Sequence, residues 1–276
     1  MEKNRIEASI HKRKKKSQMK KALWVVGLMA LLLTLGLLMQ KPEETYQMEV
    51  VHLDHAKVVE EQQNRADTLL ENLEMEGVPE GILSTLRKNS ETRYFAEDYV
   101  VDKENVSVST KVSPESTTVP YFLQWDEEWG YEPYGSSTIS SAGCGPTCLA
   151  MVVSYFTKDE GITPSTMAQY SMENEFLTED GATYCALMET TEDWEITVTP
   201  EETDEAVAAE ALQAGNPIIC NVFPGDFTEV GHFIVLTGYV DGMVSVNDPF
   251  SYKNSLKLWR FADIQDQIDM MWVYSK

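Results

Sequence analysis

Positive charge is scarce over most of this 276-residue chain: 22 Lys and Arg stand against 45 Asp and Glu, a formal net charge of −23. The imbalance is local. Nine basic residues precede Ala22, where the net charge is +7, whereas from Lys41 onward 13 basic residues face 43 acidic ones. So acidic a region excludes a nucleic-acid partner, because neutralising phosphate needs clustered Lys and Arg. Charge of either sign is absent from Ala22 to Gln40. Histidine is also rare, with four residues at positions 11, 52, 55 and 232, and the four cysteines (144, 148, 185 and 220) include no C-x-x-C pair. Those spacings argue against a metal site, and no cofactor motif is present. A hydrophobic content of 43% excludes a wholly disordered chain.

The uncharged run ALWVVGLMALLLTLGLLMQ is 19 residues long, close to the roughly 20 that a helix needs to cross the hydrocarbon core. The basic block His11 to Lys21 before it marks the cytoplasmic side. A cleaved signal peptide would want small residues of the A-x-A kind at the exit, but the chain reads Leu37-Leu38-Met39-Gln40-Lys41-Pro42 there. The sequence therefore predicts a cytoplasmic tail over 1–21, a single-pass membrane anchor over 22–40 and an extracytoplasmic remainder. Within that remainder, 41–119 reads as a helical stalk and linker, and 120–276 as the folded domain.

Val59, Ala66, Leu69 and Leu73 form one stripe of an amphipathic helix over His52–Glu76 that ends near Gly77. A weak dimerising coiled coil is a second reading of that stripe, which Gln62 interrupts. Pro79–Tyr99 reads as a helical pair broken at Asn89-Ser90, and Asp102–Thr118 as linker. Aromatics then crowd Tyr121–Tyr134, as core or as a groove lining. Helices are expected over Pro146–Phe156, Pro164–Asn174, Ala182–Thr191 and Asp204–Ala214. Strands are expected over Glu195–Thr199, Pro217–Phe223, His232–Val240, Met243–Asn247 and Met271–Tyr274. Helices first and neighbouring strands afterwards indicate an α+β fold with a largely antiparallel sheet.

Cys144 differs from the other cysteines. Gly143-Cys144-Gly145-Pro146 sets a thiol between glycines, just before a Pro suited to the first helical position. At a helix N-terminus the unpaired N–H groups and the macrodipole favour the thiolate, and flanking glycines leave room for a substrate backbone. A tight turn with a buried Cys is the competing reading. A Cys nucleophile needs a base, and His232 is the sole histidine of the folded domain; a structural histidine is its alternative.

Asp248, in Val246-Asn247-Asp248-Pro249, is the candidate orienter. A three-residue Val240-Asp241-Gly242 loop would set Asp248 opposite Ile234, on the His232 face, with β carbons roughly 7 Å apart. A two-residue Asp241-Gly242 turn would throw the two to opposite faces. The catalytic reading therefore predicts the three-residue loop. Gln124, just upstream of the Cys, is the candidate side-chain donor to an oxyanion, beside the Cys144 N–H. Cys148 is expected in the core, Cys185 and Cys220 could pair, and the loop Phe223–Gly231 could shape substrate access.

Four ordered segments carry a resemblance. Val119-Pro120-Tyr121-Phe122-Leu123-Gln124-Trp125-Asp126, Gly143-Cys144-Gly145-Pro146-Thr147, Gly231 to Tyr239, and Val246-Asn247-Asp248-Pro249 resemble papain-like cysteine peptidases. More narrowly they are similar to the bacteriocin-processing (double-glycine leader) peptidases and their stand-alone bacterial relatives. The resemblance implies a papain-like fold, with a Cys-bearing helix packed on an antiparallel sheet. It also implies Cys144 as nucleophile, His232 as base, Asp248 as orienter and Gln124 as oxyanion donor. The bacteriocin-processing enzymes are cytoplasmic domains fused to an ABC transporter, whereas this sequence holds no phosphate-binding Gly-rich loop. The function expected is a membrane-anchored extracytoplasmic cysteine peptidase acting on a peptide or protein. A catalytically silent binding module, or a wall-peptide amidase or transpeptidase, are the alternatives.

Overall fold

A computed structural model describes residues 67–101, 109–110, 112–113, 115–178 and 181–276. The expected cytoplasmic tail, membrane anchor and first part of the stalk lie outside them. Among the described residues no helix is long and apolar enough to cross a membrane.

The helical lead-in comprises α1 (67–75), α2 (Glu80–Lys88) and α3 (Arg93–Val101). Gly77, at φ +78°, turns the chain after α1, a left-handed conformation that suits glycine. The break expected at Asn89-Ser90 is a single 3₁₀ turn, Ser90–Thr92, capped by the Asn89 side chain. Leu73, Val78, Ile82, Leu83, Leu86, Phe95 and Ala96 bury themselves here, against Trp125 and Tyr131. Phe95 stacks on Tyr131 with centroids 4.3 Å apart. Residues 67–101, expected as part of a stalk, are thus packed onto the domain.

A two-stranded ribbon, β1 (Pro133–Tyr134) and β2 (Ser137–Thr138), leads into the short α4 (Ile139–Ala142) and then α5 (Cys144–Thr157). Every residue of α5 from Gly145 to Ser154 is buried. After α6 (Pro164–Glu173) come β3 (Thr197–Glu201), α7 (Glu205–Gln213), β4 (Ile218–Val222), β5 (His232–Val240), β6 (Met243–Asn247), α8 (Tyr252–Ser255), β7 (Leu258–Arg260), α9 (Phe261–Ile264) and β8 (Ile268–Ser275). The sheet runs β3-β8-β4-β5-β6-β7 with every neighbouring pair antiparallel.

Both faces of this sheet are covered. Phe233, Val235, Ile219, Trp272 and Tyr274 pack with α5 and α6, while Ile234, Leu236, Cys220 and Met271 pack with α7 and α9 on the other side. That double burial is why Phe233 to Leu236 is a continuous apolar run rather than an alternating one. The expected groove-or-core aromatics resolve toward the core, since Phe122, Trp129 and Tyr134 are buried. One expectation needs correction. Ala182–Thr191 holds a single 3₁₀ turn, Cys185–Glu189, instead of an α-helix, and a second turn, Glu192–Trp194, follows it; the bridge between Leu177 and Thr183 holds the start of that segment extended. The four cysteines are free, with Cys185 exposed and Cys220 buried, and the pairing that the sequence left open between those two is not formed.

The β5–β6 hairpin departs from expectation in a way that matters for the site. Val240 pairs with Met243, and Asp241 and Gly242 both have positive φ, as a two-residue I′ turn of Asp-Gly type requires. The three-residue loop is not formed. The register then shifts between Leu236 and Gly238, so that Leu236 pairs with Val246 and Val235 with Asn247. Thr237 is the extra residue of a β-bulge, which moves all later pairs by one. Asp248 therefore comes level with Ile234 and shares the parity of His232 after all.

Ile82, fully buried in the lead-in cluster, tests whether that cluster belongs to the cooperative unit. Ile82→Ala should destabilise the protein by about 3 kcal/mol, measured as an earlier single transition in urea; an unshifted main transition would mean that the lead-in folds separately.

Candidate active site

Helix α5 begins at Cys144 itself, with Gly143 as its N-cap. Pro146 sits in the first turn, where a missing N–H costs nothing. The glycines flanking the thiol have a tighter reason than the space for a substrate expected from the sequence. A Cβ on Gly143 would meet the Ile139 carbonyl oxygen at 2.6 Å, and one on Gly145 would meet Thr183 Cγ2 at 2.7 Å. Protein atoms already fill that room. Thr183 is in turn held by Tyr134, whose buried hydroxyl lies 2.8 Å from both Thr183 Oγ1 and Ser171 Oγ.

His232 opens β5 and is 6% exposed. Its Nε2 lies 2.8 Å from Asp248 Oδ1, which leaves Nδ1 for the Cys144 side. Asp248 is fully buried, and its carboxylate collects three further donors. The Phe250 and Ser251 N–H groups donate to Oδ1 at 2.9 and 3.2 Å, and Asn254 Nδ2 donates to Oδ2 at 2.8 Å. Bonds from N–H groups two and three residues on make an Asx turn, a local device that Asp-Pro sequences favour.

The loop behind Asp248 is braced from outside. The Gln124 N–H donates to the Pro249 carbonyl at 2.8 Å, the Tyr121 hydroxyl to the Asp248 carbonyl at 3.0 Å, and Trp125 Nε1 to the Phe250 carbonyl at 2.8 Å. From the lead-in, Asn89 Nδ2 donates to that same Phe250 carbonyl at 2.6 Å. Glu91 accepts from the Ser251 hydroxyl at 2.7 Å and from the Lys253 N–H at 3.1 Å.

The electrostatics favour an ion pair. Burial pushes the Cys144 thiol up, but the adjoining His232 imidazole and the N–H groups of Phe233 and Gly145 act against it, and the net value falls below the ordinary thiol range. Burial disfavours a charged His232. The Asp248 carboxylate, by charge and by hydrogen bond, and then Cys144 outweigh that cost and push the imidazole up to about 10. The other thiols move oppositely: burial raises Cys148, Cys185 and Cys220.

Of the residues expected from the sequence, Cys144, His232 and Asp248 are brought together. Gln124 is buried close by in the chain order of contacts: its Nε2 donates to the Ser140 carbonyl at 2.8 Å, four residues before Cys144. Its Oε1 is buried with no partner among the described residues. Sequence reasoning missed Asn254, Asn89 and Glu91. Asn254 is six residues from Asp248 and could have been sought there, whereas nothing in the sequence links position 89 or 91 to a loop some 160 residues later. No cluster of three metal-ligating side chains occurs among the described residues.

The model of the Peptidase_C39 like family matches residues 116–275, more than half of the chain. The chain belongs to that family. It is accordingly a cysteine peptidase, and its α+β architecture with an antiparallel sheet is the one expected from the sequence. Among solved structures it is similar to the peptidase domain of Streptococcus ComA, a bifunctional ABC transporter, at 17% identity over 48% of this chain and 90% of that one, with a TM-score of 0.37. A C39-like peptidase from Bacillus anthracis is 16% identical over 63% of this chain and 98% of that one, with a TM-score of 0.36. A double glycine motif protease from an AMS/PCAT transporter, solved with its leader peptide, is 15% identical over 62% and 98%, at 0.35. None of the curated proteins matches the chain.

The ion pair predicts selective alkylation. At pH 7 Cys144 should react with iodoacetamide faster than the exposed Cys185 by on the order of tenfold or more, read by mass spectrometry of the modified peptides. Equal rates would refute a lowered Cys144 value.

Proposed function

We propose that this protein is a membrane-anchored, extracytoplasmic cysteine peptidase that cleaves peptide bonds with Cys144 as nucleophile, His232 as general acid and base, and Asp248 as orienter. The observation that carries the reading is the 2.8 Å contact between His232 Nε2 and the buried Asp248 carboxylate, beside a thiol that opens a buried helix. Asp248 fixes which ring nitrogen faces the thiol and compensates the imidazolium charge.

The chemistry follows from those positions. The Cys144 thiolate attacks the substrate carbonyl carbon, and negative charge moves onto the carbonyl oxygen. The Cys144 N–H at the helix terminus is one donor to that oxyanion, and Gln124 Nε2, which has a second hydrogen beyond the one given to Ser140, is the other. The intermediate collapses, the C–N bond breaks, and the imidazolium proton passes to the leaving amine. A thioester remains on Cys144. Water then attacks it, giving its proton to the neutral His232, and the acid product leaves with the thiolate restored.

The anchor rests on sequence: an uncharged run over Ala22–Gln40 preceded by a basic block supports insertion with the domain outside. The substrate is a peptide or protein.

Two measurements test this reading. Cys144→Ala should lower kcat by on the order of 10⁴-fold or more, and peptides released by wild-type cells should be missing from cells carrying the variant; identical peptide profiles would overturn the assignment. The pH dependence of kcat/KM should be bell-shaped. Thiolate is lost as pH falls through the lowered Cys144 value, and imidazolium is lost as pH rises through about 10, both limbs being properties of the coupled pair.

A further inference from the structure

A cavity of about 550 Å³ opens at His232, a size in the range of small-ligand sites. It is larger than the cavity of about 230 Å³ lined by Trp129 and Ile162. The described residues around it come from three places: the C-terminal end of α2, the loop before β5, and the loop that carries Asp248.

Which part of a substrate this cavity could take is set by the proton transfer. The leaving nitrogen must come within hydrogen-bond reach of the His232 ring. The chain beyond that nitrogen then continues past the ring, away from Cys144. His232 lines the cavity and Cys144 does not, so the cavity opens beyond the imidazole as seen from the thiol.

Its lining has an order. Nearest the imidazole stands the Phe250 ring, edge-on at 6.3 Å between centroids. Phe227, buried and tilted against Trp259 with centroids 4.6 Å apart, contributes a second aromatic surface. Val230, two residues before His232, is 68% exposed. Charge of both signs lines it, with Arg87 and Lys88 on α2 and Asp226 and Glu229 on the loop. The wall formed by this loop is braced. The Asp226 N–H donates to Gln267 Oε1 and Gln267 Nε2 donates to Asp226 Oδ2, each at 2.7 Å. The Gly225 N–H donates to the Thr228 carbonyl at 2.8 Å. A braced wall keeps its shape without substrate, so binding does not have to order it.

We infer that this cavity is the subsite for the leaving-group side of the substrate, and that it selects a bulky apolar residue immediately after the scissile bond. The inference rests on the peptidase reading above, because it uses the direction of proton transfer to His232. Val230 and Phe250 are its specificity-determining residues. The exposed valine gains cover only when an apolar side chain lies on it.

The test uses the full-length protein and a proteome-derived peptide library, with the cut sites sequenced by mass spectrometry. Wild type should show Phe, Leu, Ile or Val enriched about tenfold over Gly at the first position after the cut, the scale of apolar pocket discrimination. Val230→Asp should abolish that enrichment and Val230→Leu should retain it. Val230 is exposed, so neither change threatens folding. Cleavage with no preference after the cut, or an enrichment that Val230→Asp leaves intact, overturns the subsite while leaving the peptidase reading standing. Library cleavage that is the same with Cys144→Ala overturns both.

Discussion

The buried carboxylate of Asp248 is the constraint on which the rest of the site hangs. A charged group with no exposed surface is tolerable only if every lone pair finds a donor. Here four donors reach it: one imidazole, two backbone N–H groups and one side-chain amide. Only the imidazole can carry a balancing charge among those four. Removing His232 would therefore leave a buried anion with dipoles alone for company, whereas removing Asn254 would leave the charge pair intact. The pair in turn gives the thiol its partner, and the raised imidazole and lowered thiol are two sides of one arrangement.

Much of that arrangement was legible in the sequence. The strands His232–Val240 and Met243–Asn247 have the bounds expected of them, because an Asp-Gly turn between apolar runs leaves few ways to fold. Cys144 could be singled out because a thiol before Pro at the start of an apolar helix has few other uses. The parity of His232 and Asp248 could not be read, since it depends on Thr237. The sequence allowed either turn, and the three-residue loop predicted from the catalytic reading is not the one formed; the shared face is reached instead through a two-residue turn and a single bulge. Thr237 pairs its hydroxyl with Ser245 Oγ at 3.0 Å, and a Cβ on Gly238 would come within 2.9 Å of that oxygen. Neither contact leaves a mark in the local pattern.

Other misreadings have similar physical causes. Ala182–Thr191 carries helical spacing, but the bridge between Leu177 and Thr183 holds its start extended, a pairing with another segment that local spacing does not show. The edge strand Leu258–Arg260 is three residues long, below what alternation can reveal. The lead-in looked like a stalk because its stripe is amphipathic, and amphipathicity says that a face is covered without saying by what. Here Phe95, Ile82 and their neighbours are covered by the aromatic segment that precedes the thiol.

The braces from Asn89 and Glu91 to the 250–253 segment span about 160 residues of chain. Contacts of such sequence separation close late, because the loop entropy must be met before they return any stabilisation. They also join one segment to another made some 160 residues later. During synthesis the residues of the thiol-bearing helix, Cys144–Thr157, leave the ribosome before the loop with Asp248. The cysteine therefore emerges before either the histidine or the carboxylate that joins it in the folded site.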